Sequence, residues 1–439
     1  MKMSYRKMKL AEIGKIVSGA TPKTSTPDNF GGDIAWITPA DLSGYTKKYI
    51  SHGKRNITEM GYNSCSTQLM PKGSVLFSSR APIGYVAIAE NPLCTNQGFK
   101  SIVPNDLIDS EFLYYQLKYL SKSIQDKGTG TTFKEISAKT LGKIEIVVPL
   151  LSEQKNIVSR IEELFSKLDK GVETLQTIKQ QLAVYRQAVL KEAFEGKLTE
   201  RWRQNIENYP LIVRMDLEKI KIKSRAIRDT SGDENEAELF LPSAWKKVRI
   251  GNLFEVEVGA TPSRKKFEYW NGNVNWVSSG EITFNNIFHT KEQITEDGLY
   301  SSSTNIQPIG TVMLAMIGEG KTRGRAAILQ VEAAHNQNTA AILVSKTPCQ
   351  PKYLYYFLQM NYENTRRIGS GNNQKALNKE RVRAMRFPFT SFAEQSQIIQ
   401  EIESRLSVCD SIEQAVDEAL ARADAMRQSI LKQAFEGEI

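Results

Sequence analysis

The sequence has few of the residues on which metal and disulfide chemistry depend. It holds four cysteines, none in a CxxC spacing, and three histidines that fall in no metal-ligand pattern. No run approaches the ~20 apolar residues of a membrane span, and Glu12 and Lys15 interrupt any signal-peptide core. We therefore expect a cytoplasmic protein with neither a zinc site nor a disulfide framework.

Signatures of catalysis are equally scarce. The stretch AMIGEGKT at 315–322 fits a permissive phosphate-loop pattern, but the residues after it, RGRAAILQV, are typical of a strand rather than of the helix that cradles phosphates. We therefore predict a hairpin tip here. The sequence has no glycine-rich cofactor turn, no paired carboxylates and no nucleophile constellation, so we expect no active site and no bound cofactor in this chain.

What the sequence does contain is one long tandem repeat. SGATPKTSTPDNF at residue 18 matches VGATPSRKKFEYW at residue 258, TNQ matches HNQ, and LKEAFEGKL at 190–198 matches LKQAFEGEI at 431–439. The offset stays at about 240 residues throughout. A period this long indicates one duplication of a domain and its tail rather than a solenoid.

Each copy begins with short apolar or alternating runs, separated by Gly and Pro, that are typical of a compact α+β domain. The period then becomes helical, with heptad positions at Ile161, Leu168, Leu175, Leu182 and Val189, and a weaker seam in the second copy, where Arg405, Cys409, Ala419 and Ala423 occupy it. We predict two mixed α/β domains at 1–151 and 244–390, long helices at 152–200 and 391–439, and a polar linker at 201–243. Ser391 and Glu394 form a capping box for the second helix.

A helix of this length with an apolar seam needs a partner, and the other copy is the simplest one. We predict an antiparallel coiled coil with pseudo-twofold symmetry. A parallel pair stays open, because the linker could stretch about 140 Å.

Positive charge is concentrated in the two α+β domains, whereas the second helix is acidic. Two separate basic domains suit a double helix that is contacted at two places. A shared scaffold should match between copies while base-reading residues differ, so we predict DNA contacts where the copies diverge. These are Lys23, Thr24, Lys47, Lys48, Lys54, Arg55, Ser78, Ser79, Arg80, Thr129, Thr131, Thr132 and Lys134, and in the second copy Arg264, Lys265, Lys266, Lys321, Thr322, Arg323, Arg325, Arg366, Arg367, Asn372, Asn373, Gln374 and Lys375.

Two pairs of aromatic residues recur at matched positions. Trp36 and Trp276 lie in strand-like runs and are predicted to be core residues rather than base-stacking ones. Phe194 and Phe435 belong to the AFEG motifs, which a heptad seam does not explain. We predict that these two rings contact either the coiled coil or a partner protein, with two copies of one surface recruiting two copies of one partner in the second case.

The order of these motifs is familiar. Two variable domains open near G-x-T-P and W-x-x-x-x-[DE], and each is followed by a long helix that begins near EQ and ends in AF-x-G-[KE]-[LI]. The chain resembles the specificity subunit (HsdS) of a type I restriction-modification enzyme over essentially its whole length. The alternatives are the recognition module of another restriction or methylation system, or a coiled-coil scaffold whose basic domains bind protein.

The resemblance implies a subunit without an active site. Each domain would read one half of a split DNA site, and the helices would fix the gap between the halves. The helices would also dock two modification subunits, which methylate adenine N6 with S-adenosylmethionine. Restriction subunits would add translocation and cleavage that depend on ATP and Mg²⁺.

Overall fold

The computed structural model describes residues 6–130, 134–219, 239–318, 320–344, 347–367 and 377–438, with the side chain of Arg367 excepted. The chain forms two compact units. Unit 1 consists of Met1–Thr177 and Val416–Ile439, and unit 2 consists of Ile178–Ala415. Each unit therefore contains one α+β copy together with parts of both long helices.

The elements of the first copy follow one another as the alternating runs predict. The strands are β1 (Arg6–Lys9), β2 (Gly14–Ser18), β3 (Phe30–Ile34), β4 (Trp36–Ile37), β5 (Tyr49–Ile50), β6 (Val75–Ser79), β7 (Ile83–Ala89), β8 (Cys94–Thr95), β9 (Lys100–Pro104) and β10 (Glu145–Val148). The helices are α1 (Leu10–Ile13), α2 (Glu59–Asn63), α3 (Ser110–Asp126), α4 (Ala138–Gly142) and the long α5 (Leu151–Phe194).

The second copy repeats this order after two further helices. The helices are α6 (Glu200–Gln204), α7 (Tyr209–Glu218), α8 (Ile250–Leu253), α9 (Glu296–Tyr300), α10 (Pro351–Met360), α11 (Tyr362–Arg367), α12 (Lys379–Ala384) and the long α13 (Phe392–Glu436). The strands are β11 (Lys246–Arg249), β12 (Glu255–Val258), β13 (Trp270–Val277), β14 (Asn285–Ile287), β15 (Glu292–Ile294), β16 (Val312–Ala315), β17 (Ala326–Leu329), β18 (Ala334–His335), β19 (Thr339–Leu343) and β20 (Arg386–Phe389).

The two copies share one sheet topology. A mixed five-stranded sheet has the order β2-β9-β6-β7-β5 in unit 1 and β12-β19-β16-β17-β14 in unit 2. In both, the edge strand (β5 or β14) runs parallel to its neighbour and the other strands are antiparallel. The central strands β6 and β16 are buried along their length, as their continuous apolar runs predict. The predicted α+β fold and internal duplication are confirmed.

Ion pairs between α5 and α13 fix the direction of the helix pair. In unit 1, Arg427 of α13 pairs with Asp169 of α5. In unit 2, Arg186 of α5 pairs with Asp410 at 2.7 Å and Glu413 at 2.9 Å, both on α13. The beginning of each helix therefore lies beside the end of the other, and the pair is antiparallel as predicted. The pairs Arg427–Asp169 and Arg186–Asp410 join residues at equivalent positions of the repeat, so the internal duplication extends to these ion pairs.

The apolar seam between the long helices is narrower than the sequence predicts. Leu182, Val189, Cys409, Val416 and Ala423 are buried on the first heptad position. On the second position, Tyr185, Ile412 and Met426 remain exposed by 48%, 40% and 53%. Part of the apolar surface of each helix is thus left exposed among the residues that the structure describes.

The AFEG motifs have a structural explanation. Phe194 is completely buried in unit 2, with its ring 5.1 Å from that of Tyr353, and Phe435 is buried in unit 1, with its ring 5.4 Å from that of Phe112. Gly196 and Gly437, which close the two AFEG motifs, have φ values of +71° and +78°. This left-handed conformation ends a helix, and it favours glycine because glycine has no Cβ. The prediction that the two Phe rings contact a partner is therefore wrong, since both belong to the core of the chain.

The segment predicted to be a polar linker instead begins with folded structure. Helices α6 and α7 cover the first turn of α13, where the Glu394 carboxylate is completely buried. It accepts hydrogen bonds from Thr199 and Trp245 Nε1, both at 2.7 Å, and from the Tyr209 hydroxyl, and it pairs with Arg203. Residues 220–238, including the acidic run, lie outside the described part of the chain.

One half of the predicted capping box is present at α13. The Glu394 backbone N–H donates to Ser391 Oγ at 3.2 Å. The Glu394 side chain turns to the buried cluster instead of returning to the backbone. In the first copy the equivalent Glu153 makes the returning bond, accepting from the Leu150 N–H at 3.2 Å. Burial under α6 and α7 accounts for this difference between the copies.

Candidate nucleic-acid interface

Each α+β copy contains a tight turn at its Asn-Gln dipeptide, which we call the NQ turn (residues 95–98 and 335–338). In unit 1, Asn96 Oδ1 accepts from the Gly98 N–H at 2.9 Å, and in unit 2, Asn336 Oδ1 accepts from the Asn338 N–H at 3.1 Å. An asparagine side chain that bonds two residues ahead closes such a turn locally. The next residue, Gln97 or Gln337, is consequently left exposed at the turn.

The loop that opens with GATP (residues 19–26 and 259–266, the GATP loop) is fastened to this turn. The Ala20 N–H donates to Thr95 O at 3.0 Å, and the Ala260 N–H donates to His335 O at 2.9 Å. A Cβ atom on Gly19 would lie 2.2 Å from the Asn96 carbonyl oxygen, so only glycine permits this approach. The match between the copies at the Gly and Ala of GATP therefore reflects backbone packing.

The two matched tryptophans support the same loop. Trp36 and Trp276 are buried, and each indole N–H donates to the GATP-loop carbonyl of Ala20 or Ala260 at 3.1 Å. Their prediction as core residues is confirmed. The residues that follow GATP, which differ between the copies, are thus carried on a fixed base.

A hairpin tip lies against the NQ turn in each unit. In unit 1 the tip between β6 and β7 (residues 79–83) bonds through the Ser79 N–H to Gly98 O at 2.7 Å. In unit 2 the tip between β16 and β17 (residues 316–325) bonds through the Met316 N–H to Asn338 O at 2.8 Å. The predicted hairpin at AMIGEGKT is confirmed, because an antiparallel strand follows it where a phosphate loop has a helix.

Helix α11 holds the longer tip of unit 2 in place. The Tyr362 hydroxyl donates to Lys321 O at 2.6 Å, and Arg366 Nη1 donates to Gly320 O at 2.6 Å. Arg323 Nη2 donates in turn to Arg366 O at 2.8 Å. The sequence predicted Arg323 and Arg366 separately, and the structure brings them together. We call the GATP loop, NQ turn and tip of each unit its loop cluster.

Arginine stacks on an equivalent aromatic ring in both units. The Arg55 guanidinium lies 3.5 Å from the ring centre of Phe30, and the Arg264 guanidinium lies 3.7 Å from that of Trp270. Phe30 and Trp270 are repeat equivalents, whereas the two arginines come from different loops. An alignment of the copies therefore misses that they occupy the same place.

Arg264 is held further by an ion pair with Glu292, in which Nη2 and Oε2 lie 2.9 Å apart. This hydrogen bond raises the pKa of Arg264 and lowers the pKa of the Glu292 carboxyl. The stacking and the ion pair hold the Arg264 guanidinium in one orientation, and the carboxylate partly neutralises its charge.

The remaining predicted contacts vary in exposure. The exposed residues are Lys23, Thr24, Lys47, Lys54, Thr129, Lys134, Lys265, Lys266 and Lys321. The half-buried ones are Arg80, Thr322 and Arg325. Thr131, Thr132, Asn372, Asn373, Gln374, Lys375 and the side chain of Arg367 lie outside the described residues.

Two predicted contacts are wrong, and a third, Lys48, is engaged in ion pairs within the chain. Ser78 and Ser79 are completely buried, and Ser78 Oγ shapes the tip by donating to Pro82 O and accepting from the Tyr85 N–H, both at 2.8 Å. Lys48 is held between Glu111, at 2.8 Å, and Glu162. Burial alone would lower the pKa of Lys48, but its bonds to the two carboxylates raise it. Lys48 joins α3 to α5 instead of presenting a free charge.

One titratable group in the NQ turn of unit 2 is kept neutral. His335 is completely buried, and its Nδ1 lies 2.8 Å from Thr339 Oγ1. Burial lowers the pKa of His335 to about 4. The turn therefore holds no positive charge at neutral pH, and the first copy has Thr95 at this position.

The described residues contain no group of three or more His, Cys, Asp or Glu side chains placed to hold a metal ion. Within the same part of the chain, no helix has the length and apolarity that crossing a bilayer requires.

Known proteins resemble the chain throughout. A family model described as "Type I restriction modification DNA specificity domain" matches residues 3–183 and again residues 242–422. The chain is similar to the type I restriction enzyme MjaIX specificity subunit of Methanocaldococcus jannaschii, at 31% identity over 80% of this chain and 74% of that protein. It is also similar to the EcoBI specificity subunit of Escherichia coli, at 24% identity over 99% and 86%.

Solved structures share the fold. A chain from a structure on complex assembly and conformational transition of the type I R-M system aligns at a TM-score of 0.70 over 99% of this chain and 98% of that one, with 16% identity. The HsdS subunit from Thermoanaerobacter tengcongensis aligns at 0.59 over 100% and 98%, also with 16% identity. The fold deduced from the repeat is thus found in both structures.

Proposed function

The chain belongs to the type I restriction-modification DNA specificity family, and from that premise we propose that each unit reads one half of a bipartite DNA site through its loop cluster. The observation that carries this proposal is the duplicated cluster. The NQ turn, the GATP backbone and the tryptophan support are the same in both units, whereas the residues they carry differ. A fixed base with exchangeable readers suits two half-sites of different sequence.

The chemistry of the exchangeable residues supports a nucleic-acid ligand. Exposed lysines such as Lys23 and Lys265 suit phosphate oxygens, and arginines stacked on aromatic rings suit phosphate or guanine. The chain itself would perform no covalent step. Modification subunits would supply S-adenosylmethionine and methylate adenine N6, and restriction subunits would supply ATP and Mg²⁺.

The long helices would dock two modification subunits and set the gap between the half-sites. Since Phe194 and Phe435 are buried, the docking residues must be others. Tyr185 and Met426 are repeat equivalents, and both are large, apolar and half exposed. Two equivalent exposed side chains fit two copies of one partner.

The test is a methylation map. The chain would be expressed with its modification subunit, and N6-methyladenine would be mapped across the host genome. We expect one bipartite sequence, and replacing residues 317–324 of the unit 2 tip should change one half of it only. If both halves of the methylated sequence change, the proposal that each unit recognises one half-site is refuted.

Salt dependence separates DNA recognition from a protein scaffold. The affinity of the assembled complex for duplex DNA should fall steeply with added salt, with a slope of about −0.9 per phosphate contacted. Lys265→Ala should reduce that slope by about one phosphate, whereas Lys291→Ala, at an exposed lysine outside the loop cluster, should not. A complex whose DNA binding is insensitive to salt would favour the scaffold alternative.

A further inference from the structure

The exposed glutamine of each NQ turn is identical in the two copies, and contacts within the chain account for its carboxamide oxygen but not for its nitrogen. Gln97 and Gln337 are both exposed, and their exposed neighbours in the GATP loops and tips have all changed. The buried partners of the turn explain why Asn, Gly and Trp match between the copies, but they do not explain why an exposed amide nitrogen is kept in both. The match between the NQ turns was visible in the sequence, although it indicated only a repeat.

Both carboxamides are held in one orientation. Thr261 Oγ1 donates to Gln337 Oε1 at 2.6 Å, and Thr21 Oγ1 donates to Gln97 Oε1 in the same way. Each threonine belongs to a GATP loop that is itself fixed by the backbone bonds described above. With its oxygen engaged, each side chain presents its Nε2 donors outward, and no described residue accepts a hydrogen bond from either nitrogen.

The position of each glutamine is central to its loop cluster. In unit 2 the turn bonds to the GATP loop through His335 and to the tip through Asn338. In unit 1 the Lys100 ammonium lies 3.5 Å from both Gln97 O and Glu135 Oε1, beside the residues that close the tip. An exposed, oriented donor thus lies between the variable segments in both units.

We propose that Gln97 and Gln337 each donate a hydrogen bond to a DNA phosphate, as a sequence-independent contact common to both half-sites. The inference rests on the proposed function. Two half-sites read by different loop residues have the phosphodiester backbone in common, and a fixed amide donor suits a phosphate oxygen. These contacts fix the register from which the variable residues reach the bases.

The experiment uses the assembled complex with its modification subunit. Gln97→Met removes donor and acceptor at similar size, and Gln337→Met does the same in unit 2. Losing one hydrogen bond to a charged acceptor should weaken DNA binding roughly tenfold to a hundredfold. The methylated sequence should stay unchanged, and so should the slope of affinity against salt, because glutamine is uncharged and releases no counterion.

Lysine provides a rescue that a purely structural role would not allow. Gln97→Lys cannot accept the Thr21 bond but can reach a phosphate, so it should restore affinity and steepen the salt slope by about one phosphate. The matched control is Gln68→Met, because Gln68 is an exposed glutamine of the same unit whose oxygen is likewise engaged, by Lys15 Nζ at 3.2 Å. The Gln68→Met complex should bind DNA as tightly as the wild-type complex.

The possible outcomes are distinct. If Gln97→Met binds DNA as tightly as the wild type and Gln68→Met, the inference is overturned. If it alters the methylated sequence, the residue reads a base and the backbone assignment is equally overturned. Should Gln97→Met fail to fold, Gln97→Glu keeps the acceptor for Thr21, and it must lose more affinity than Gln68→Glu. A wild-type complex that binds no DNA would instead refute the proposed function.

Discussion

Replacing Glu394 with glutamine should destabilise unit 2 far more than the equivalent change, Glu153→Gln, destabilises unit 1. The Glu394 carboxylate is completely buried, whereas Glu153 is half exposed and bonds only the Leu150 N–H. Glutamine has nearly the same shape as glutamate, so the change tests charge and hydrogen bonding rather than packing.

Neither orientation of a glutamine amide satisfies the Glu394 site. If its NH₂ group replaces Oε2, it faces the Trp245 N–H, which cannot accept a hydrogen bond. If it replaces Oε1, it faces the Arg203 guanidinium, which also cannot accept. One donor stays unsatisfied in either case, and Arg203 loses its counterion. Together these effects should cost about 3–5 kcal/mol, whereas Glu153→Gln should cost about 0.5 kcal/mol or less.

Thermal and urea unfolding measure this difference directly. For a unit of this size, the loss should lower the midpoint temperature by roughly 10 °C. Four of the five tryptophans lie in unit 2, so indole fluorescence reports mainly on its unfolding. A unit 2 midpoint for Glu394→Gln equal to that of the wild type would refute the reasoning, because burial of the carboxylate would then carry no energetic consequence. Glu153→Gln is the control, and it should leave both the unit 2 midpoint and the calorimetric transition of unit 1 close to those of the wild type.

Three further outcomes are expected. Because burial lowers the pKa of His335 to about 4, the stability of unit 2 should be fully present above pH ~6.5 and fall by about 3 kcal/mol as the pH approaches 4. In His335→Thr, urea titrations should show this pH slope flattened, and an unchanged slope would contradict the assignment. Phe435→Ala should destabilise unit 1 and Phe194→Ala unit 2, each by about 3–5 kcal/mol in calorimetry; a transition that shifts in the opposite unit would contradict the packing. Tyr185→Glu and Met426→Glu should each remove one modification subunit in native mass spectrometry, and two retained subunits would exclude these positions from docking.

Local patterns made much of the fold predictable. The repeat, the strands, the long helices and the hairpin at AMIGEGKT each follow from a run of adjacent residues. Trp36 and Trp276 could also be assigned to the core, because each stands in an apolar run at a matched position. In these cases the information lies within one element or in the comparison of the two copies.

The errors concern residues whose role depends on distant partners. Phe194 and Phe435 look like repeated surface anchors until the tertiary fold buries them against Tyr353 and Phe112. Lys48, whose DNA contact stays a prediction, resembles any surface lysine in sequence, and only the fold shows its ion pairs with Glu111 and Glu162. Pairing of this kind leaves no mark in composition or spacing.

The candidate interface was found in part. Divergence between the copies identified Arg55 and Arg264. It did not reveal that both arginines stack on equivalent rings, because the two arginines come from different loops. Divergence could not identify Gln97 and Gln337, because the two copies have the same residue at this position. What distinguishes these glutamines from matched core residues is the exposure of their side chains, which only the three-dimensional structure shows.

The location of Phe435 has a consequence for biosynthesis. Unit 2 is one continuous segment of the chain, whereas the core of unit 1 includes Leu431, Ala434 and Phe435 from the end of α13. During translation, every residue of unit 2 is synthesised before the last core residues of unit 1. Domains usually fold from the N-terminus onward as they emerge from the ribosome. In this protein the N-terminal unit is completed last, and its unfinished core must wait until synthesis of α13 is over.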